Sequence, residues 1–218
     1  QMMTAQRKRA RQHYKGGKEA KTADAYRSLL SGVDSTEFIG YQHDEGSGQV
    51  LAILREGEMV DRADAGQEIE LFLNRTPFYA ESGGQIGDSG VVASETGTVQ
   101  IGDTQYSVPG IHGHRGIVKA GYIQIGQDAK LAIDGDRRER IRKNHTGTHI
   151  LHWGLREVVG DHVQQAGSLV ADDRLRFDFS HHTSTDPKEL LDIEREVNSR
   201  IIKNVGVSTL DTSKEEAE

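Results

Sequence analysis

The sequence predicts an α+β fold composed of a helical lead-in, a β-barrel and a mixed α+β domain. Two observations support this prediction. The stretch from Thr36 to about Ile133 is rich in glycine, and its short β-type runs are separated by turn residues, which is typical of a small closed barrel or sandwich. The flanking segments have helical periodicity instead, and strand-like runs return only after residue 160.

The lead-in is assigned to residues 1–34. We expect a helix there, with a break at Gly16 and Gly17, because paired glycines lose much backbone entropy in a helix. The barrel domain is assigned to residues 35–135. Its predicted strands are EFIGYQ, QVLAIL, EIELFLN, GVVAS, GTVQIGD, QYSVPG, HRGIVKAGYI and AKLAID.

The α+β domain is assigned to residues 136–218. A helix is predicted from Asp134 to about Val159, followed by strands in HVQQAGSLVA and RLRFDFS. Apolar and charged residues alternate in the second of these runs, as expected for a half-buried strand. A second helix is predicted from the Asp186-Pro187 pair to about residue 204, with VGVSTLD as a last strand.

Composition excludes several classes of protein. The 218 residues contain no cysteine, so disulfides and cysteine nucleophiles are excluded. No apolar run approaches the roughly 18 residues of a membrane helix, and we expect a soluble, cytoplasmic protein without a membrane partner. The net charge of −7 argues against a uniformly basic surface. The start at Gln1 and a capping box at Ser213 and Glu216 suggest a piece of a longer protein.

The segment RKNHTGTHILHWGLREVVG contains three histidines with helical spacing. His145, His149 and His152 fall on one face of the predicted helix, and two imidazoles one turn apart can bind a single Zn²⁺. Thr146 stands where a zinc peptidase of the H-E-x-x-H type needs a glutamate, which disfavours peptide hydrolysis. The alternative is that these are ordinary surface or capping histidines, and His152 is assigned only a supporting or structural role.

Two longer stretches, one of which contains the three histidines, resemble a known family. NHTGTHILHWGLREVVGDHVQQAGSLVADDRLRFDFSH and PFYAESGGQIGDSG resemble the editing region of alanyl-tRNA synthetases and of the related free-standing alanyl-tRNA editing proteins. The resemblance spans roughly residues 36–218 and is strongest over 76–90 and 137–181. The lead-in AQRKRAR resembles the helix that precedes this region in the synthetases, which favours a synthetase fragment over a free-standing protein.

The resemblance implies a translation-factor-like barrel that carries a Gly-Gly-Gln loop, here residues 83–85. It also implies an α+β domain, shared with threonyl-tRNA synthetases, in which His145 and His149 are two of four zinc ligands. The other two would come from a Cys-x-x-x-His motif, and these 218 residues contain no cysteine. Two imidazoles alone leave half of the coordination sphere to water, so weak zinc binding is expected.

The implied reaction is hydrolysis of the ester in mischarged Ser-tRNA(Ala) or Gly-tRNA(Ala). Thr148 and Gln165 are expected to contact the aminoacyl end, with Ser168 as a weaker candidate. Glu81 is a further candidate partner for the serine hydroxyl, Gln85 is expected to hydrogen-bond near the ester, and no general base is assigned. Without the resemblance, each of these side chains has a structural explanation: capping, packing, a surface amide or loop stabilisation.

The expected partners are the acceptor end and CCA terminus of tRNA(Ala) and the rest of the synthetase chain. A basic run before the histidines is expected to meet acceptor-stem phosphates, although internal ion pairs with Asp136 and Glu139 are an equally open alternative. The run comprises Arg137, Arg138, Arg140, Arg142 and Lys143. The alternatives to the editing enzyme are a tRNA-binding or structural module without catalysis and a free-standing deacylase.

Overall fold

The computed structural model describes Tyr26, residues 35–207 and Thr212. The predicted lead-in, apart from Tyr26, and the capping box at Ser213 and Glu216 lie outside the described residues. In the described part the fold combines a closed six-stranded barrel, a β-hairpin and two long helices, so the predicted α+β class and the barrel are confirmed.

The described elements follow the predicted order. The strands are β1 Glu37–Phe38, β2 Glu45–Arg55, β3 Glu58–Met59, β4 Arg62–Asp64, β5 Glu68–Leu73, β6 Arg75–Thr76, β7 Gly90–Ser94, β8 Gly97–Val108, β9 Ile111–Gln124, β10 Asp128–Ile133, β11 Gln165–Val170 and β12 Leu175–Phe179. The helices are α1 Gly135–Val159 and α2 Pro187–Lys203.

Six antiparallel strands close the barrel. They run in the order β10, β7, β8, β9, β5 and β2, and pairing of β10 with β2 closes the ring. The register aligns buried side chains across the strands, since Leu131 pairs with Val92, Val92 with Val99 and Val99 with Val118. All four are at most 1% exposed, so this belt of aliphatic residues fills the barrel and gives it a rigid core.

The strand predictions differ from the structure in detail. Only Glu37 and Phe38 of EFIGYQ form a strand, and QYSVPG does not start a new strand because β8 continues through it. The ladder between β8 and β9 shifts register at three places, one of them between Tyr106 and Val108. Such bulges bend a long strand and allow it to follow the curvature of the barrel without a break.

Both helices begin where their capping residues indicate. The side chain of Asp134 accepts a hydrogen bond from the backbone N–H of Arg137 at the start of α1. Asp186 and Glu189 form a capping box at the start of α2, with Pro187 in the first turn. The predictions of these two helices are thereby confirmed. The predicted last strand is not present at residues 205–207, which are irregular, and its remainder lies outside the described residues.

The hairpin β11–β12 and both helices share a second apolar core. Its buried residues are Leu155 of α1, Val163 before β11 and Ile193 of α2. Phe177 and Phe179 of β12 pack against it, while Arg176 and Asp178 point outward, as the alternation in the sequence predicts. Helix α1 is therefore held by the barrel at its first turns and by this second core at its last turns.

Candidate functional site

The Gly-Gly-Gln segment forms a tight turn between β6 and β7. The backbone N–H of Ser82 donates to the carbonyl of Gln85 at 3.1 Å, and the N–H of Gln85 donates back at 3.0 Å. Gly83 and Gly84 have φ values of +59° and +86°, a region in which residues with a Cβ atom are strained. We call residues 82–85 the glycine turn.

The glycine turn lies directly against β11 of the second domain. The N–H of Val170 donates to the carbonyl of Gly84 at 2.7 Å, and a Cβ atom on Gly84 would lie 2.6 Å from the carbonyl oxygen of Ser168. Only glycine permits so close an approach of two backbones at this φ. The turn therefore joins the barrel to the α+β domain.

Helix α1 brings His145 against the glycine turn. Its Nδ1 donates a hydrogen bond of 2.6 Å to Oε1 of Gln85, whose side chain is 7% exposed in the fold. The ring of His149, one helical turn further on, stacks on that of His145 at 5.1 Å between centroids and 19° between planes. The structure thus brings together three of the residues that the sequence singled out.

The contact with Gln85 determines the protonation of the His145 ring. Because Nδ1 carries the proton that is donated to Gln85, the lone pair is on Nε2. Burial, and secondarily the neighbouring His149, lower the pKa of His145 below its ordinary value of 6.5. The ring is therefore neutral near pH 7, which is the state in which imidazole binds a metal.

This arrangement fits part of a zinc site. A metal-binding histidine commonly donates its second ring N–H to an oxygen that fixes the tautomer, and Oε1 of Gln85 is such an oxygen. His145 and His149 would provide two ligands. Within the residues that the structure describes, no group of three or more histidine, cysteine, aspartate or glutamate side chains is placed to hold a metal ion.

Thr148 lies one residue before His149 and is 6% exposed. Its hydroxyl donates to the carbonyl of Asn144 at 2.8 Å, and the amide of Asn144 donates to the carbonyl of Ala171 at 2.7 Å. The proton of the Thr148 hydroxyl is thus committed to the helix backbone. The oxygen of that hydroxyl retains its accepting lone pairs for a ligand.

Two other predicted site residues form no hydrogen bond with the imidazole pair within the described residues. Gln165 pairs with Phe179 at one end of β11, whereas Val170, at the other end, bridges to Gln85. With a rise of about 3.3 Å per residue, the two ends of β11 are roughly 15 Å apart. Glu81 is exposed, and its carboxylate accepts from Nε2 of Gln105 at 3.2 Å on the barrel surface.

Arg138 is buried between α1 and the barrel. Its guanidinium forms an ion pair with the buried Asp88 and donates to the carbonyls of Gly40 at 2.8 Å and Pro77 at 3.1 Å. Asp88 also accepts from the N–H of Tyr79 at 2.8 Å. The donors of Arg138 are occupied inside the protein, so this residue connects α1 to the loop that carries the glycine turn.

The other basic residues lie at several positions around the first turns of α1. Arg137 donates to the carbonyl of Gly87 at 2.9 Å and, with Arg140, lies 3.6 Å from the carboxylate of Asp172. Lys143 pairs with Glu139 at 3.6 Å. Arg142 is exposed and forms no ion pair within the described residues. Of the internal ion pairs left open from the sequence, Lys143 with Glu139 is present, whereas Arg137 and Arg140 pair with Asp172 and not with Asp136.

Sequence reasoning missed Asp88 and Asn144. Asp88 lies 50 residues from Arg138, and Asn144 lies 27 residues from Ala171, so neither contact has a signal in local periodicity. The carbonyl partners of Arg138 at Gly40 and Pro77 are backbone groups, which no side-chain pattern reveals.

None of the described helices is both long enough and apolar enough to span a membrane.

Comparisons with known proteins identify the family to which the chain is similar. Residues 1–137 match the family described as tRNA synthetases class II (A). The chain is 45% identical over 207 residues to the alanine–tRNA ligase of Paracoccus denitrificans, which covers 95% of this chain and 23% of that protein. It is also 45% identical to the alanine–tRNA ligases of Rhizorhabdus wittichii over 208 residues and of Cereibacter sphaeroides over 215 residues.

These matches cover nearly the whole of this chain, but the chain spans only about a quarter of the length of the relatives, 23% to 24%. The family match over residues 1–137 includes the barrel and the glycine turn, and the relatives extend the similarity through the histidine helix. The chain therefore belongs to the class II (A) tRNA synthetase family and corresponds to a region of the alanine–tRNA ligases.

Proposed function

We propose that this chain is a proofreading module that hydrolyses serine or glycine from wrongly charged tRNA(Ala). The similarity to alanine–tRNA ligases supports the choice of tRNA. The observation that carries the proposal is the hydrogen bond of 2.6 Å from Nδ1 of His145 to Oε1 of Gln85. This hydrogen bond joins the glycine turn of the barrel to the imidazole pair of α1, and these are the two parts of the proposed pocket.

The proposed reaction is ester hydrolysis. Water attacks the carbonyl carbon of the aminoacyl group, and the bond from that carbon to the ribose oxygen breaks. The ribose oxygen takes a proton, and the products are the free amino acid and a tRNA with a free terminal hydroxyl. A zinc ion at His145 and His149 would supply a positive charge that polarises the ester. The residues of this chain would hold the metal and exclude bulk water from the turn.

Gln85 has a positioning role in this proposal. Its Oε1 keeps the proton of His145 on Nδ1, which leaves Nε2 as the ligand atom. The remaining zinc ligands would come from the Cys-x-x-x-His motif implied by the family resemblance, and the 218 residues contain no cysteine. Zinc affinity in this chain alone is therefore expected to be low.

Thr148 is the proposed source of discrimination between serine and alanine. A buried polar group that binds the serine hydroxyl is left unpaired when alanine takes its place, which costs roughly 1 to 3 kcal/mol. Since the Thr148 hydroxyl already donates to Asn144, its oxygen would accept the proton of the serine hydroxyl. Gln165 would contact the aminoacyl end together with Thr148, and Glu81 would be a further polar partner there.

The second candidate is a tRNA-binding or structural module without catalysis. It is favoured by one observation: the imidazole pair is joined by no further metal ligands within the described residues. In this case the same surface would hold the acceptor end of the tRNA, and hydrolysis would require ligands from another segment.

One assay distinguishes the two candidates. Ser-tRNA(Ala) and Ala-tRNA(Ala) are incubated with this chain and with a chain extended through a Cys-x-x-x-His motif, and zinc is quantified in both. Release of serine by this chain, with loss in a His149→Ala variant, supports the hydrolytic proposal. Release by the extended chain alone assigns a binding role to these 218 residues by themselves. Serine release that survives His149→Ala contradicts the role of the imidazole pair, and equal release of alanine contradicts the discrimination.

A further inference from the structure

Five aromatic rings form a continuous surface on the barrel, which we call the aromatic patch. Phe38 and His112 stack at 5.6 Å and 11° between planes. Tyr41 and Tyr79 contact Phe38 edge to face at 5.0 Å and 6.1 Å, and Tyr106 lies 4.8 Å from His112. The rings come from β1, the segment after it, the loop before the glycine turn, β8 and β9.

The patch has a buried base and two exposed rings. His112 is only 3% exposed, whereas Tyr41 is 76% exposed and Tyr106 is 48% exposed. Contiguous exposed apolar surface marks interaction sites, whereas singly exposed apolar residues are ordinary, and here two exposed rings belong to one cluster. Because Phe38 and His112 hold them from below, the two tyrosines present their rings at little further cost in conformational entropy.

The aromatic patch is adjacent to the proposed hydrolytic site. The hydroxyl of Tyr79 donates to the carbonyl of Ser82 at 3.3 Å, and Ser82 is the first residue of the glycine turn. On the other side, the carbonyl of Gly40, next to Tyr41, accepts from Arg138 of α1 at 2.8 Å. The patch is therefore joined to the glycine turn by one hydrogen bond and to the start of α1 by a buried contact beneath Tyr41.

A cation lies on the same side of α1. At about 100° per residue, positions 138, 142 and 145 fall within a stripe about 60° wide. Arg138 contacts Gly40 beside the patch, and His145 contacts Gln85 in the glycine turn. Arg142 lies between them along the helix and is exposed, so its guanidinium is available to bind a phosphate.

We propose that the aromatic patch and Arg142 bind the unpaired nucleotides at the 3′ end of the tRNA, with bases stacked on Tyr41 and Tyr106 and a phosphate on Arg142. Unpaired bases stack on aromatic side chains whatever their sequence, and guanidinium groups bind the linking phosphates. The combination of exposed rings with an exposed cation favours a single-stranded RNA over an apolar peptide. This inference rests on the proposed function for the identity of the RNA.

Binding of labelled RNA hairpins to the full 218-residue chain, followed by fluorescence anisotropy, tests this inference. The first probe has an acceptor-type stem with four unpaired 3′ nucleotides, the second has the same overhang without bases, and the third has a blunt end. We expect Tyr41→Ala and Tyr106→Ala each to weaken binding of the first probe roughly tenfold. Tyr41→Phe and Tyr106→Phe keep the ring and should bind within about twofold of wild type.

The second probe and two control variants isolate the stacking. Because the overhang without bases has nothing to stack, the alanine variants should bind it as wild type does. Tyr122→Ala removes a tyrosine outside the patch and should not change binding of any probe. Arg142→Gln should weaken both overhang probes and lower the salt dependence by about one phosphate contact. Thermal unfolding of each variant confirms that the fold is retained.

Unchanged binding of the first probe by both alanine variants would overturn the inference, and so would equal losses for the overhang with and without bases. The proposed function fails separately. If wild type binds the overhang through these tyrosines but releases no serine, even when extended by the missing ligands, the function is wrong and the inference stands. If serine is released while the tyrosine variants bind the first probe as wild type does, the inference is wrong and the proposed function stands.

Discussion

Nδ1 of His145 and Oε1 of Gln85 are 2.6 Å apart, although 60 residues separate them in the chain. Gln85 belongs to the glycine turn of the barrel, and His145 lies on the third turn of α1. A change in the conformation of the turn therefore alters the hydrogen bond to the imidazole ring directly.

Gln85→Met removes the acceptor but keeps the length of the side chain. The His145 ring should lose its preference for the Nδ1–H tautomer, and nitrogen NMR of the ring measures this loss. Zinc affinity, measured by competition with a coloured chelator, should fall roughly 10- to 100-fold. Gln85→Glu retains an oxygen acceptor and should keep the tautomer. An unchanged ring spectrum in Gln85→Met would show that the hydrogen bond does not determine the tautomer.

Gly83 and Gly84 form a matched pair for a test of the glycine turn. Gly83→Ala introduces a Cβ into open space at φ +59°, so we expect only the left-handed strain of about 1 kcal/mol. Gly84→Ala adds a Cβ 2.6 Å from the carbonyl of Ser168, and its cost should exceed that of Gly83→Ala by roughly 1 kcal/mol or more. Urea unfolding measures both, and equal costs would contradict the close approach of turn and β11.

Arg138→Met leaves the carboxylate of Asp88 buried without its cation. We expect the free energy of unfolding to fall by about 3 to 5 kcal/mol, since an unpaired buried charge is costly. Arg140→Met is the control, because its ion pair with Asp172 is 3.6 Å long and half of the Arg140 side chain is exposed. That variant should lose less than about 1 kcal/mol. Similar losses in both variants, measured in urea, would contradict the structural role of Arg138.

Two buried histidines should make the barrel sensitive to acid. Burial lowers the pKa of His112 and of His114 from 6.5 to about 4. The unfolded chain therefore takes up protons below pH 6.5 while the folded protein does not, so their contribution is complete above pH 6.5 and is lost as pH falls towards 4. Each histidine should lower stability by about 1.4 kcal/mol per pH unit in that window.

Unfolding in urea between pH 8 and pH 4.5 measures this dependence. His112→Phe keeps a ring that can stack on Phe38 and removes one of the two titrating groups, so its stability should fall less steeply with acid. It also removes Nδ1 of His112, which has no hydrogen-bond partner within the described residues. A wild-type stability that stays constant from pH 6.5 to pH 4.5 would show that these rings are protonated within the fold.

Local patterns predicted most of the helices and strands, because capping and side-chain alternation depend on residues that are close together in the chain. Asp134 and Asp186 cap their own helices, and the alternation in RLRFDFS predicts which side chains of β12 are half-buried. The merging of two predicted strands into β8 was missed, since it depends on bulges against β9 that only the partner strand reveals. The assignment of the lead-in stays a prediction, because it lies outside the described residues.

The candidate site was predictable only in part, for a related reason. Helical spacing placed His145 and His149 together, and the structure stacks their rings at 5.1 Å. Arg138 belonged to a basic run expected to meet tRNA phosphates, whereas Asp88, 50 residues earlier, holds it inside. Contacts between the barrel loop and α1 depend on how the two domains meet, and periodicity along one helix contains no information about that.

The connection between β10 and α1 limits how the proposed pocket can move. β10 ends at Ile133 and α1 begins at Gly135, so a single capping residue separates a closed barrel from the helix that carries the imidazoles. One residue is too short to act as a hinge. The ion pair of Arg138 with Asp88 also holds the first turn of α1 against the loop before β7. The proposed pocket is therefore preorganised, and any bending needed for binding would have to come from the RNA of the proposed function.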